Sequence, residues 1–306
     1  MTTTALMPGT APVTESVAES VPKDDPVVIG SLSPSRAGDF MACPLRYRFR
    51  TIDKLPEPPS PAAARGTLVH AVLERLFDLP PLERTPAAAF GLLAPAWAEL
   101  LAEQPELADV LSEAGDEQAW FAAASALLGA YFSLEDPQRL EPAARELLVE
   151  HVLESGLRLR GYIDRLDQAP TGELRVVDYK TGRAPGPAFE RSALFQLKFY
   201  ALVVWKTQGT VPRELRLLYL GDRQRLVYHP DESELLSFER TLHALWVAIE
   251  RARVTGDWRA SPSRLCDWCS HQALCPAFGG TPPPLPSPTA EVAMEDAAPV
   301  VCEPQG

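Results

Sequence analysis

Leu157-Arg-Leu-Arg-Gly161-Tyr-Ile-Asp164-Arg-Leu166 and Leu174-Arg-Val-Val177-Asp178-Tyr179-Lys180, separated by a turn at Pro170-Thr171-Gly172, are the stretch that decides the fold. A further extended segment, Leu147 to Leu153, reaches them through Glu154-Ser155-Gly156. Apolar alternation between turn residues predicts three strands in an antiparallel meander. Side chains two apart on a strand face the same way, so Asp178 and Lys180 are expected to share one site. Asp164 lies 14 positions before Asp178, a spacing that lets neighbouring strands set the two aspartates side by side.

Helical patterns flank the meander. Ser33-Pro34-Ser35 opens a short helix running through Phe40, with Ser33 as N-cap and Pro34 at its first position, and Cys43-Pro44 ends or kinks it. Beyond a Pro-rich linker, Gly66 to Phe77 carries apolar residues at 68, 69, 72, 73, 76 and 77, and His70 and Glu74 sit together beside that stripe. Residues 87–133, rich in Ala and Leu with acids interspersed, predict two or three helices within an acidic insertion spanning about 83–146. Downstream come a helix from Phe189 to Thr207, strands near Leu215 to Leu220 and Arg225 to Tyr228 with Gly221-Asp222 favouring a hairpin, and a last helix from Glu232 to Val254. This order predicts an α/β fold, one domain over residues 29–279.

The chain has 306 residues, 46% hydrophobic and 23% charged, which suits a globular protein with a substantial core. No apolar run reaches the roughly 18 residues of a membrane span, and no basic-then-apolar leader opens the chain. The expectation is therefore a cytoplasmic protein with no membrane partner. Residues 1–28 and 280–306 read as disordered tails, the second holding Cys302. The net charge of −12 conceals segregation: Glu83 to Glu150 holds 13 acidic and 3 basic residues, whereas Ser31 to Lys54 has a balance of +3. An acidic chain can thus still present a basic surface near its first cysteine.

Two carboxylates at Asp164 and Asp178 would make a hard oxygen site for Mg²⁺ or Mn²⁺. A neighbouring lysine could orient a metal-bound water, lower its pKa or stabilise charge growing on a phosphorane-like transition state. His70 could add a ligand from the preceding helix. Gln196 and Tyr200, i and i+4 on a helix otherwise rich in Leu, Phe, Ala and Val, share a face. Such a set suits phosphodiester hydrolysis, although each part has a purely structural alternative.

Gly66-Thr-Leu-Val-His70, Gly161-Tyr-Ile-Asp164, Val177-Asp178-Tyr179-Lys180-Thr-Gly182 and Gln196-Leu-Lys-Phe-Tyr200 resemble, in order and approximate spacing, the successive motifs of the RecB-like branch of the PD-(D/E)XK nucleases. The resemblance spans about residues 31–278. It implies a restriction-endonuclease-like core, with metal bound by His70, Asp164, Asp178 and the backbone carbonyl of Tyr179. It also implies that Lys180 assists the attacking water, and that Gln196 and Tyr200 contact DNA or support the site. Ile163 stands where the family's literal Pro would be, as is usual in this branch.

Four cysteines form a second constellation: Cys43 alone, then Cys266, Cys269 and Cys275 in a cluster assigned to residues 255–279. They are too few and unevenly placed for a disulfide framework, and the spacing suits either zinc or an iron–sulfur cluster. The pattern resembles a subset of RecB-like nucleases, including CRISPR-associated exonucleases, in which one upstream and three downstream cysteines hold a [4Fe-4S] cluster. Such a clasp would join segments more than 220 residues apart. Arg46 and Arg48, with Arg50, Tyr47 and Phe49, crowd the same region and could bind DNA phosphates and stack on bases, or the aromatics could pack inward with the arginines solvated.

The resulting expectation is a Mg²⁺- or Mn²⁺-dependent deoxyribonuclease, an exonuclease on single-stranded ends in DNA repair or recombination. The chain carries no Gly-x4-Gly-Lys-Ser/Thr motif, so any unwinding falls to a separate helicase. Its rivals are a DNA-binding module with little nuclease activity and a nuclease of CRISPR spacer adaptation.

Overall fold

The computed structural model describes residues 28–58, 60–184, 186 and 190–286, without the side chains of residues 112, 113 and 190–192. Most of the two expected tails, with Cys302, and the start of the helix expected from Phe189 lie outside the described residues. Within them, six strands form one mixed sheet: β1 (Gly30–Leu32), β2 (Pro142–Val152), β3 (Leu157–Gln168), β4 (Leu174–Lys180), β5 (Glu214–Tyr219) and β6 (Gln224–Tyr228). The predicted meander is present, with β2 and β4 both antiparallel to β3. β5 joins parallel to β4, and β6 returns antiparallel to β5.

The central strand has an uneven second edge. One edge of β3 pairs with β2 over nearly its full length, from Arg158 to Asp167. The opposite edge pairs with β1 at residues 157–159 and with β4 at residues 165–168, so it carries no ladder partner at residues 160–164. β4 has splayed away just where Asp164 sits. At the same level the alternation slips. Residues of β3 facing the first hydrophobic core run Leu157, Leu159, Ile163 and then Leu166, and those of β2 run Ala144 and then Leu147 and Val149. Each strand steps by three where Glu146 lies opposite Asp164, and Glu146 has a backbone φ of +41°.

Helices cover both faces of the sheet. On one lie α1 (Pro34–Ala42), the short α2 (Pro44–Tyr47) and, later in the chain, two long helices at Glu190–Gln208 and Glu232–Thr255, sharing a core with Leu159, Val176 and Leu217. On the other lies α3 (Pro61–Leu76), whose Leu68, Val69, Val72 and Leu73 are fully buried against Val177 and Leu218. The acidic segment supplies four helices rather than two or three: α4 (Pro86–Gly91), α5 (Leu93–Glu103), α6 (Ala108–Ala114) and α7 (Glu117–Leu134). Breakers that the Ala/Leu-rich composition conceals divide them. Gly115 takes φ +76°, and Asp116 caps α7 by accepting from the Ala119 N–H. Trp97, Trp120 and Phe121 pack edge-on between these helices, so the segment completes a core rather than hanging off one. Its expected last residues, 142–146, belong to β2.

The two long helices are α8 (Glu190–Gln208) and α9 (Glu232–Thr255). The hairpin between β5 and β6 forms, but its left-handed residue is Arg223, not a glycine. Gly221 answers a different need, since a Cβ there would lie 2.6 Å from the Gly182 carbonyl oxygen. After α9, Gly256 in the left-handed conformation stops the helix, and the chain returns to α1 and α2. Trp258 stacks on Tyr47 at 6.0 Å, Leu45 N–H donates to the Arg259 carbonyl, and Arg48 donates to the Pro283 carbonyl. Residues 280–286, assigned from sequence to a tail, are described, and Pro283 takes part in that contact. Among the described residues no helix is long and apolar enough to cross a membrane.

Candidate active site

The gap in the β3 ladder is where the predicted residues converge. Ser60 caps α3 and Pro61 occupies its first turn, which sets the helix so that His70 reaches the sheet. His70 Nδ1 lies 3.5 Å from Asp164 Oδ2. The Tyr179 N–H, having no ladder acceptor at this level, donates to the same Asp164 oxygen at 2.6 Å. The splay that frees a backbone donor thus also fixes the first aspartate.

Asp178 and Lys180 point the same way, as period two requires. Asp178 is almost wholly buried, and Lys180 Nζ stands 2.6 Å from its Oδ2. From α8, Gln196 closes a ring: its Nε2 donates to Asp178 Oδ1 at 3.1 Å, and its Oε1 accepts from Lys180 Nζ at 2.8 Å. Tyr200, one turn on, accepts from Gln196 Nε2 through its hydroxyl at 3.1 Å. Gly161 makes this approach possible, because a Cβ there would lie 2.8 Å from Tyr200 Cε1. Gln196 and Tyr200 thus lie in one hydrogen-bonded group with Asp178 and Lys180.

Behind the site a fully buried cation anchors Tyr179. Arg165 donates to the Tyr179 hydroxyl at 2.8 Å and pairs with Glu135 and Asp167. Arg216 and Arg175 complete the network by pairing with Glu135 and Asp167 respectively. Neutralised and hydrogen-bonded on both sides, the buried guanidinium holds the Tyr179 ring from below.

Sequence reasoning missed one neighbour. Glu146 on β2 places a carboxylate oxygen so that ligand atoms of His70, Glu146 and Asp164 all lie within 4.8 Å of one another. Burial and then the Asp164 charge push the Glu146 carboxyl up to about 7. Burial likewise raises Asp178 to about 6, against the opposing pull of Lys180. Burial disfavours a charged His70, but the hydrogen bond and charge of Asp164, with Asp178 and Glu146, outweigh it and raise its pKa. Carboxylates crowded this closely hold protons until a cation replaces them. The arrangement fits a hard divalent cation, with His70, Glu146, Asp164 and Asp178 as available donors. The alternation slip hid Glu146, for a regular β2 would turn it elsewhere.

The four cysteines also meet. Cys43, Cys266, Cys269 and Cys275 line one cavity beside Phe49 and His271. Ser261 N–H points at Cys43 Sγ at 3.5 Å and Ser263 N–H at Cys266 Sγ at 3.3 Å, as suits anionic sulfur. No three of the sulfurs lie within 4.8 Å of one another. Tetrahedral zinc, with Zn–S near 2.3 Å, would draw them to about 3.8 Å.

Arg46 and Arg48 do not join either constellation as free cations. Arg48 is buried and paired with Asp53 at 3.0 Å, and Arg46 and Arg50 both pair with Asp39. Facing inward, Arg48 cannot reach a phosphate in this arrangement, which corrects its expected role in DNA binding. Tyr47 and Phe49 are likewise buried, the inward alternative that the sequence allowed.

A mixed sheet flanked by helices, carrying an aspartate on each of two adjacent strands and a lysine two residues beyond the second, defines a metal-dependent nuclease core. The profile of the PD-(D/E)XK nuclease superfamily matches residues 31–276, and the chain belongs to that superfamily. It is similar to the Gene 69 protein of Mycobacterium phage D29, at 28% identity over 272 residues covering 80% of this chain and 96% of that protein. It is also similar to the Gene 69 protein of Mycobacterium phage L5, at 30% over 126 residues, 40% of this chain and 41% of the relative. A crystal structure of a protein described as "Putative exonuclease" from Eubacterium rectale shares the fold with a TM-score of 0.53 at 15% identity, covering 88% of this chain and 94% of that one.

Proposed function

We propose that this chain is a Mg²⁺- or Mn²⁺-dependent deoxyribonuclease of the RecB-like branch, acting as an exonuclease on single-stranded DNA ends. The observation that carries the reading is the Asp178–Lys180–Gln196 ring beside Asp164 and His70. A cation held there would polarise a phosphodiester and lower the pKa of a bound water. Asp164, Asp178, His70 and the Tyr179 carbonyl would bind it. Lys180, on the same strand face as Asp178, would orient the attacking water. Gln196 keeps Lys180 aligned, and Tyr200 keeps Gln196 aligned.

The exonuclease mode draws support from the description of the Eubacterium rectale protein and from the resemblance to RecB-like motifs. The nuclease domain would span residues 29–279, with action on DNA ends in repair or recombination beside a separate helicase in the cytoplasm. End-labelled single- and double-stranded DNA, incubated with the purified protein and Mg²⁺ or Mn²⁺, tests this. Asp178→Ala and Lys180→Ala should each lose at least about 100-fold in rate. Cleavage at the parental rate by these variants removes the assigned site, and a gel shift without cleavage by the parent makes the protein a binding module.

The cysteine cavity is proposed to hold a [4Fe-4S] cluster, which interposes its own iron and sulfide and so accepts sulfurs set further apart than zinc requires. What supports it is that all four cysteines line one cavity. Cys43 would tie α1 to the returning chain through it. Anaerobically purified protein should be brown and contain iron and sulfide; a colourless preparation with stoichiometric zinc ends the proposal.

A further inference from the structure

We propose that Glu146 is a ligand of the cation in this site, a role that explains why a glutamate is held in left-handed backbone geometry in the middle of a strand. The inference rests on the metal-dependent reading above. His70, Glu146 and Asp164 are the one group among the described residues whose His, Cys, Asp or Glu ligand atoms converge in this way. Asp178 is not a member of it; its oxygens meet Gln196 and Lys180. Glu146 makes no hydrogen bond or ion pair with a described side chain, although it lies in a half-buried acidic pocket. A carboxylate so placed is repelled by Asp164, Glu74 and Asp178, with His70 as the opposing attraction.

The backbone gives an independent reason. Non-glycine residues with positive φ are Lys54, Glu146 and Arg223 among the described residues, and of these Glu146 alone lies within a strand. Arg145 and Leu147 keep their register with Arg165 and Ile163 on either side of Glu146. Glycine would occupy that conformation without strain. A strained, side-chain-bearing residue surrounded by regular structure marks a position where the side chain is used. The slip in alternation brings Glu146 toward His70 and Asp164.

Mn²⁺ binding by calorimetry and by electron paramagnetic resonance, with melting in EDTA, tests the assignment without reference to turnover. The parent and the control Glu150→Gln, altered on the same strand outside the group, should bind Mn²⁺ alike, and Asp164→Asn should bind poorly. Glu146→Gln and Glu146→Gly should each raise the Mn²⁺ Kd at least about 10-fold. In EDTA both should melt no lower than the parent, since one removes carboxylate repulsion and the other relieves the backbone. Parental Mn²⁺ affinity in both Glu146 variants overturns the proposal, as does a fall in melting temperature with unchanged affinity, which would make Glu146 a structural residue. If the parent itself binds no Mn²⁺, the metal-dependent reading fails and takes this inference with it.

Discussion

Replacing Gly161 by alanine should damage the site from behind without altering any charged side chain. The added Cβ would lie 2.8 Å from Tyr200 Cε1 and 3.4 Å from Pro34 Cδ, so the Tyr200 ring must move by about 0.6 Å to reach ordinary contact. Tyr200 is 5% exposed and wedged between the sheet and α8, which leaves it little room to turn. Overpacking of this kind costs about 1–3 kcal/mol, or a fall in Tm of roughly 2–5 °C for a chain of this size. Because Tyr200 aligns Gln196, and Gln196 aligns Lys180 with Asp178, the shift should reach the site. A misplacement of 1 Å can cost about 100-fold in rate, so about 10-fold is expected here. Thermal melts and single-turnover cleavage would be measured on Gly161→Ala, Tyr200→Leu and the double variant. Leucine removes the clashing ring atom, so the double variant should show a favourable stability coupling of at least about 1 kcal/mol. A Gly161→Ala protein within about 0.5 kcal/mol of the parent would refute the reasoning, as would strictly additive single changes.

Three further outcomes follow from the buried charges. Arg165→Met should destabilise by about 3–5 kcal/mol, because Glu135 and Asp167 lose a fully buried partner; chemical denaturation would show it, and a change under about 1 kcal/mol would mean the network is dispensable. In EDTA, stability should fall as pH rises from about 4 to about 7: Asp178 and Glu146 keep in the native state protons that the unfolded chain releases, and the advantage disappears once both have ionised. Urea titrations across that range should flatten in Asp178→Asn, and an unchanged slope would contradict the raised carboxyls. Arg48→Ala should lower stability through loss of the Asp53 and Pro283 contacts while leaving the salt dependence of DNA binding unaltered. A slope reduced by about one would instead place Arg48 on a phosphate.

Local pattern made much of this architecture readable. Alternation over Leu157–Leu166 and Leu174–Tyr179 gave the meander, and the 14-residue spacing gave the facing aspartates. Capping chemistry at Ser33-Pro34 and apolar periodicity around His70 gave α1 and α3. Less legible were features without a local period. β1 has three residues, too few to alternate, and forms because β3 offers it a free edge. The divisions among α4 to α7 depend on Gly115, Asp116 and Pro105 within a composition that reads as continuous helix.

By itself the sequence determined the meander and the long helices, that an aspartate and a lysine share a strand face, and that four thiols stand at opposite ends of the domain. Those properties follow from periods of 2 and 3.6 and from side-chain chemistry, which are local. Tertiary structure alone decided what each charge does. Asp39 pairs with a part-exposed Arg46 and Asp53 with a buried Arg48, Gln196 turns inward to bridge Asp178 and Lys180, and a one-residue slip shared by β2 and β3 carries Glu146 to His70. A partner's identity is set by distance through space, and burial then multiplies its effect, so no spacing along the chain could have disclosed it.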